Sequence, residues 1–454
     1  AAAIDRQADC LYNAKNMTKM RTKRTIAVLI AIFALLPVVS CKQAPRPNVV
    51  VILIDTLRAD RLPFYGYPKA TTPFLNELAS RGTVFERAFA ASSWTAPATA
   101  SIFTGLYPFQ HGVVMGLAAQ LQIIKKDPNI KINRIPDSVL TMPEVFKAGG
   151  YRTFIVADNA NISKAQGFHQ GVDRMVCLSH TGAKNVNRSV IELEKEIKGG
   201  SPYFLYIHYN DPHKPYKLEL APGEGNGERI HDQKLVYDKE LALVDASIRE
   251  LFQRFGWKRD TLVVVTADHG EEMFERGFYG HGRTLFNTVI HVPLLFFYPG
   301  SGLVNGGRVR GPVSTLDILP TLSSLLRFGR LKDVAGADLS PLLKDPGRTA
   351  PERPIFSHLQ LKGAGRADVL QKASIFGNYK YIYQSNAETS LFFDLARDFK
   401  EERNLYSGRT AQANKLAARY YQFERSCKRF NPGYVDIELD EKSIEHLKTL
   451  GYIQ

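Results

Sequence analysis

Asn48-Val49-Val50-Val51-Ile52-Leu53-Ile54 is an unbroken apolar run, largely β-branched, that ends on Asp55. Alternating polarity would mark a strand with one wet face; continuous apolarity marks one buried on both faces, as in a parallel sheet. A second run of the same kind, Thr261-Leu262-Val263-Val264-Val265-Thr266, leads into Ala267-Asp268-His269-Gly270. Working outward, strands are expected at 83–90, 152–157, 203–208 and 293–298, with helices between them. Pro73–Arg81 reads as a helix opened by Thr71 and Thr72 and stopped by Gly82. Across 237–252, Tyr237, Leu241, Val244, Ile248 and Leu251 share one helical face. The alternation predicts an α/β fold: a large, mostly parallel sheet with helices on both faces. From about residue 350 the pattern changes. Short strand candidates at 354–358, 371–376, 379–383 and 390–394, then a helix near 410–426, predict a small C-terminal antiparallel α+β subdomain. The chain divides into 1–46, a leader and linker; 47–349, the main domain; and 350–454.

With 454 residues, 44% hydrophobic and 23% charged, the composition is ordinary for a globular chain holding one large domain and a smaller satellite. The formal net charge is +14, of which eight Lys/Arg against two Asp in residues 1–46 supply +6, leaving +8 for the rest. A basic body draws anionic substrates towards it. No basic run with interleaved aromatics follows the leader, so no nucleic-acid partner is expected. Within the leader, Lys19, Arg21, Lys23 and Arg24 precede an apolar run at 26–39, then Ser40 and Cys41. That order describes a secretory signal, and the run is short for a membrane span. Val38-Val39-Ser40-Cys41 resembles a bacterial lipoprotein box, which implies a periplasmic or cell-surface protein anchored to a membrane by a lipid on Cys41. Two further cysteines, Cys177 and Cys427, are read either as a pair or as two separate thiols. No CxxC or Cys/His array indicates a structural zinc.

In open α/β sheets, ligands bind beyond the carboxyl ends of the strands. Both apolar runs end in metal-ligand types, Asp55 on one and Asp268-His269 on the other, and adjacent strand tips of this kind can share a divalent cation. The bland reading, an aspartate serving as turn former or cap, must be invoked twice. A third piece is Ser92-Ser93-Trp94-Thr95-Ala96-Pro97-Ala98-Thr99-Ala100-Ser101-Ile102-Phe103-Thr104-Gly105. Pro97 at a first helical position and Gly105 at the end describe a short helix. Thr95 then lies just ahead of an N-terminus whose free N–H groups favour an anionic oxygen and a bound phosphate or sulfate. The competing role for Thr95 is that of a plain N-cap.

This third stretch resembles the signature of the sulfatase family in the alkaline phosphatase superfamily, Cys/Ser-x-Pro-x-Arg-x-Ser-x-x-Thr-Gly. Thr95, Pro97, Ser101, Thr104 and Gly105 fall at the matching intervals. IDTLRAD at 54–60, DPHKPY at 211–216, TADHGE at 266–271 with GHG at 280–282, and LFNTVIHVPLLF at 285–296 resemble that family in order and spacing. So do KYIYQ, LFFDLARDFKEERNL and LKTLGYI further on, and the likeness covers roughly 47–454. The resemblance implies an alkaline-phosphatase-like catalytic domain completed by the C-terminal subdomain. It implies that Asp55, Asp268 and His269 are metal ligands and that Thr95 is a nucleophile touching the metal. His213 and His281 match positions that bind the ester oxygens or protonate the leaving group. Lys214 and Arg58 match substrate-side positions, with a surface or structural role equally open. One divalent ion is implied: calcium, magnesium, manganese or zinc. Asp211 and His213 are only two apart, so the pair that holds a second ion in two-zinc relatives is missing, and Asp211 reads as a cap.

Three departures from the signature matter. Threonine cannot become the formylglycine aldehyde, so none is expected at Thr95. Thr99 stands where the motif has arginine, and Asp55-Thr56 replaces paired aspartates. All three point towards relatives that use threonine directly, such as nucleotide phosphodiesterases and phosphoethanolamine or lipoteichoic-acid transferases. The expectation is a metal-dependent hydrolase of sulfate or phosphate mono- and diesters working through a covalent Thr95 ester. Chemistry favours phosphoesters, because a threonine sulfate lacks the elimination route that formylglycine offers. The expected substrate is a small anionic ester or a sulfated or phosphorylated glycan or lipid. The alternatives are a phosphotransferase acting on an acceptor alcohol, and a catalytically degenerate binding lipoprotein. Loops at 115–135 and 217–235 are expected to shape the entrance.

Overall fold

The computed structural model describes residues 46–126, 132–200, 202–361, 369–385, 389–430 and 433–435, together with Met17. The described residues from Pro47 onward belong to one compact unit. The signal run, Cys41 and the 447–453 motif lie outside the described residues. Among the described residues no helix is long and apolar enough to cross a membrane.

Asn48–Ile54 sits inside a nine-stranded sheet, hydrogen-bonded in parallel to Thr261–Thr266 on one side and Tyr203–Tyr209 on the other. Beyond Tyr203–Tyr209 come Arg152–Ala157 and Arg174–Cys177, both parallel to their neighbours. Beyond Thr261–Thr266 come Leu294–Phe297, Thr83–Phe89 and the short His291–Val292, with Gly307–Ser314 running parallel beside Thr83–Phe89. Leu294–Phe297 is antiparallel to both of its neighbours, so one reversed strand interrupts the parallel core.

The continuous apolarity of the first strand has a direct cause in the packing. Val50, Ile52 and Ile54 enter one hydrophobic core, while Val49, Val51 and Leu53 enter the other on the opposite face. Residues 204–207 and 262–265 alternate between the same two cores. Three central strands buried on both faces form a rigid platform, and their carboxyl ends point one way.

The C-terminal strands Ile355–Leu361, Val369–Phe376, Tyr379–Gln384 and Thr389–Asp394 form a four-stranded antiparallel sheet with the helix Thr410–Ser426. It is tied to the segment just before Thr95 by His358 N–H to the Ala91 carbonyl (2.8 Å) and Ser357 Oγ to the Ala90 carbonyl (2.7 Å). A buried Lys380–Glu401 pair at 2.6 Å, with Asn287 bonded to both, makes a second tie.

Several details differ from the sequence reading. The helix after Trp94 begins at Thr95, two residues before Pro97, with Trp94 as its N-cap. Arg174–Cys177 and Gly307–Ser314 were not anticipated. The first is partly exposed, and the second carries Gly311 and Pro312 beside a register shift, so neither shows a clean apolar pattern. The 115–135 loop contains the helix Leu117–Lys126, and the 217–235 loop runs into the helix Arg229–Phe255. No disulfide joins Cys177 to Cys427.

Candidate active site

The strand register sets the site. Leu53 pairs with Thr266 on one side and with His208 on the other, so Asp55 and Asp268 emerge from neighbouring strand tips with His208 beside them. Thr56, the next residue, adopts a left-handed φ of 57°, unusual for a β-branched side chain and costing about 1–3 kcal/mol. Tyr237 holds that turn: its hydroxyl donates to the Thr56 carbonyl (2.9 Å) and accepts the Arg58 N–H (3.0 Å). The sharp turn lifts Asp55 off the strand into the site.

Four atoms then converge. Thr95 Oγ1 lies 3.2 Å from His269 Nε2. That same nitrogen is 3.7 Å from Asp55 Oδ1 and 3.4 Å from Asp268 Oδ2. His269 Nδ1 faces the Gly270 carbonyl at 2.9 Å, which puts its proton there and leaves Nε2 as a lone pair aimed at the cluster. Asp268 Oδ1 accepts the His269 N–H (2.9 Å), and Asp55 Oδ2 accepts from Asn159 Nδ2 (2.8 Å). Each carboxylate therefore has one oxygen anchored and one facing inward. Thr95, as the first helical residue, brings N–H groups with no intrahelical partner to the same spot.

The inward oxygens, Asp55 Oδ1 and Asp268 Oδ2, are buried and accept no hydrogen bond from the described residues. Burial, with the Asp268 charge beside it, pushes the Asp55 carboxyl well above the usual carboxylate range. Two dry carboxylates facing each other without a cation are costly. Two carboxylate oxygens, one imidazole nitrogen and one hydroxyl fit a divalent ion of the calcium, magnesium, manganese or zinc type. Asp55, His208 and Asp268 also present ligand atoms within 4.8 Å of one another.

Gly270 is fixed by space. A Cβ there would lie 2.3 Å from the Thr288 carbonyl oxygen, a backbone atom that cannot swing aside. Gly270→Ala is expected to push the Asp268-His269 turn out of place, with a cost of about 1–3 kcal/mol. Thermal melts with and without added divalent metal check it. An alanine variant matching wild type in both melts would show that the close packing is not needed.

The Sulfatase family model matches residues 47–328. This chain belongs to the sulfatase family. It is 26% identical over 446 residues to the ulvan-active sulfatase of Formosa agariphila, covering 85% of this chain and 83% of that protein. It is 26% identical over 392 residues to the human N-acetylgalactosamine-6-sulfatase, covering 74% and 72%. Its fold is shared with the crystal structure of the phosphonate monoester hydrolase of Agrobacterium radiobacter, with a TM-score of 0.63 at 19% identity, covering 83% and 96%.

On the open side of this sulfatase-family site, the His281 ring lies 4.4 Å from the His269 ring and 5.0 Å from the His213 ring, centroid to centroid. His281 Nδ1 meets Glu271 Oε1 at 2.9 Å. Burial raises the Glu271 carboxyl to about 7, lowers His213 to about 3 and holds His281 well below its ordinary value. Burial therefore favours the neutral form of both imidazoles at working pH. Lys214 rests its Nζ 3.3 Å from the centre of the Tyr279 ring, two residues from His281.

Of the two roles open to Arg58, its bonds favour the structural one. Its guanidinium is bonded to Asp60 through Nε (2.8 Å) and Nη2 (2.7 Å), and through Nη1 to Glu275 and the Glu271 carbonyl (2.8 Å each). Four of its five N–H donors are engaged inside the protein, so it braces the turn after Gly270 and has little left for substrate. Asp211 is buried, and its Oδ1 caps the helix Ala183–Glu192 through the Ala183 N–H at 2.8 Å.

His208, Asn159 and Glu271 escaped the sequence reading. His208 carried one signal: it is the single imidazole in the aromatic and aliphatic run Tyr203–Tyr209, the strand that pairs with Asn48–Ile54. Asn159 follows the strand Arg152–Ala157 in a loop where asparagine is commonplace.

Proposed function

We propose that this sulfatase-family hydrolase cleaves sulfate or phosphate esters with Thr95 as the nucleophile and with Asp55, Asp268 and His269 as ligands of one divalent metal. The observation that carries the reading is the Thr95 hydroxyl 3.2 Å from the free nitrogen of His269, beside two unpartnered buried carboxylate oxygens. Such a metal, when bound, lowers the pKa of a coordinated hydroxyl and neutralises the ester oxygens. Thr95 Oγ1, its proton passing to solvent, attacks sulfur or phosphorus and forms a covalent ester as the bond to the alcohol oxygen breaks; water then hydrolyses that ester, releasing sulfate or phosphate and restoring the Thr95 hydroxyl. The helix N-terminus at Thr95 faces the non-bridging oxygens with unbonded N–H groups. An anionic ester raises the pKa of the imidazoles it touches, so the proton shared between Glu271 and His281 becomes available to the leaving oxygen. His213 and Lys214 line the same side and hold the anion.

The ulvan-active sulfatase and N-acetylgalactosamine-6-sulfatase relatives support a sulfated glycan as the substrate class, and the phosphonate monoester hydrolase neighbour keeps phosphorus esters in view. The threonine itself favours phosphorus, since its phosphate ester is the more readily hydrolysed. Export and lipid anchoring through Cys41 belong to the same proposal, on the strength of the leader. The test is a panel of sulfate monoesters, phosphate monoesters and phosphodiesters, with metal-depleted protein and with each of the four ions restored. Metal-restored turnover of at least one ester class is expected. A well-folded protein that turns over none of them with any ion overturns the reading.

A further inference from the structure

Trp94 packs against two glycines beside the candidate site. It is the residue just before Thr95, in extended conformation as the N-cap, and it is only partly buried. Gly282, the neighbour of His281, lies beneath the indole. A Cβ built on Gly282 would sit 3.6, 3.7 and 3.8 Å from Cγ, Cδ2 and Cδ1, that is, over the five-membered ring. Gly282 has a left-handed φ of 66°, and its N–H donates to the Ser93 carbonyl at 2.8 Å, which locks the His281 loop to the residue before Trp94. At the other end of the indole, a Cβ on Gly116 would lie 3.4 Å from Cζ2. Two glycines therefore let backbone approach the ring closely and hold its orientation. The indole N–H makes no hydrogen bond among the described residues.

We propose that Trp94 is the platform for the ring of the leaving alcohol, and that the alcohol is a pyranose sugar. The inference rests on the proposed ester-cleaving site and names what occupies its leaving-group side. An indole has an electron-rich face that attracts the weakly positive C–H groups on one face of a pyranose, and an edge N–H that can donate to a hydroxyl. The N–H has no partner among the described residues, and the partly exposed ring stands between Thr95 and the loop that carries His281. The face is fixed before the ligand arrives, so little ordering is needed on binding. A flexible acyclic polyol of the same carbon and hydroxyl count has no flat C–H face to offer. Trp94 is thus a specificity-determining residue: it selects ring alcohols without taking part in bond cleavage.

The chain has two tryptophans, and the other, Trp257, is fully buried with its N–H bonded to the Tyr203 hydroxyl at 2.8 Å. Ligand-dependent tryptophan emission therefore reports on Trp94. The probes are the 6-sulfates and 6-phosphates of glucose, galactose and N-acetylgalactosamine, each beside its borohydride-reduced alditol, titrated into metal-loaded Thr95→Ala protein. At least one ring sugar is expected to change the emission saturably, about tenfold more tightly than its alditol. Calorimetry on Trp94→Phe, which keeps a flat face, retains that preference, and Trp94→Ala loses it. Equal affinity for ring and alditol, or no response to any ring sugar, overturns the proposal. The readout needs no turnover. A protein silent towards every ester but discriminating in emission loses the catalytic reading and keeps this one. A protein that cleaves aryl esters and shows no ring preference does the reverse.

Discussion

Thr95→Ala lowers kcat/KM by about a thousandfold or more, equivalent to about 4 kcal/mol of lost transition-state stabilisation, while ligand binding persists. The reasoning is geometric. Thr95 Oγ1 is the one hydroxyl shown hydrogen-bonded to His269 Nε2, the nitrogen that faces both inward carboxylate oxygens. Alanine keeps the helix, because the first turn is held by the Ala98 N–H to Trp94 carbonyl bond at 3.0 Å and by burial of Ala96, Ala100, Ile102 and Phe103. The loss therefore falls on kcat and leaves the folded protein intact. Thr95→Ser restores a hydroxyl at the same position and recovers a large part of the rate. Steady-state kinetics beside thermal melts check both variants. An alanine variant within about tenfold of wild type would mean that water attacks directly.

The second large effect concerns Asp55→Asn, which separates catalysis from stability. Asp55 and Asp268 are buried carboxylates whose inward oxygens have no donor among the described residues. Asparagine keeps an oxygen to accept the Asn159 Nδ2–H, removes one of the two buried carboxylate charges and gives up the proposed metal ligand. Activity falls by about a hundredfold or more, in line with the loss of a positioned charge in a dry site. In chelator the variant is at least as stable as wild type, since an uncompensated buried charge has gone. In metal the order inverts: wild type gains about 2.7 kcal/mol at a hundredfold excess over Kd, and the variant gains little. Urea unfolding in the two conditions reads this crossover. Equal stabilisation of both proteins by metal would place the ion elsewhere.

How much of this was legible depended on how locally each feature is encoded. The central strands were, because burial on both faces forces the continuous apolar runs at 48–54 and 261–266. That Asp55, Asp268 and His269 stand together was legible because neighbouring strand tips in such a sheet converge, and Thr95 reaches them from the N-terminus of the helix Thr95–Thr104. What depended on three-dimensional neighbours was not. Arg58 sits in a stretch matching the family, yet its role was decided by Asp60, Glu275 and the Glu271 carbonyl, two of them more than 200 residues away. Glu271 gave no sign of its pairing with His281, and the neutral state of the imidazoles follows from burial that no spacing reveals. The helix start moved from Pro97 to Thr95 because Pro97, with no N–H, is equally at home at the third helical position.

The most direct measurement is mass spectrometry of peptides from protein mixed with a turned-over ester and quenched in acid within one catalytic cycle. One phosphoryl or sulfuryl group on the peptide carrying Thr95, absent from Thr95→Ala, is the predicted result. The group on any other residue, or on none while turnover proceeds, would contradict the account.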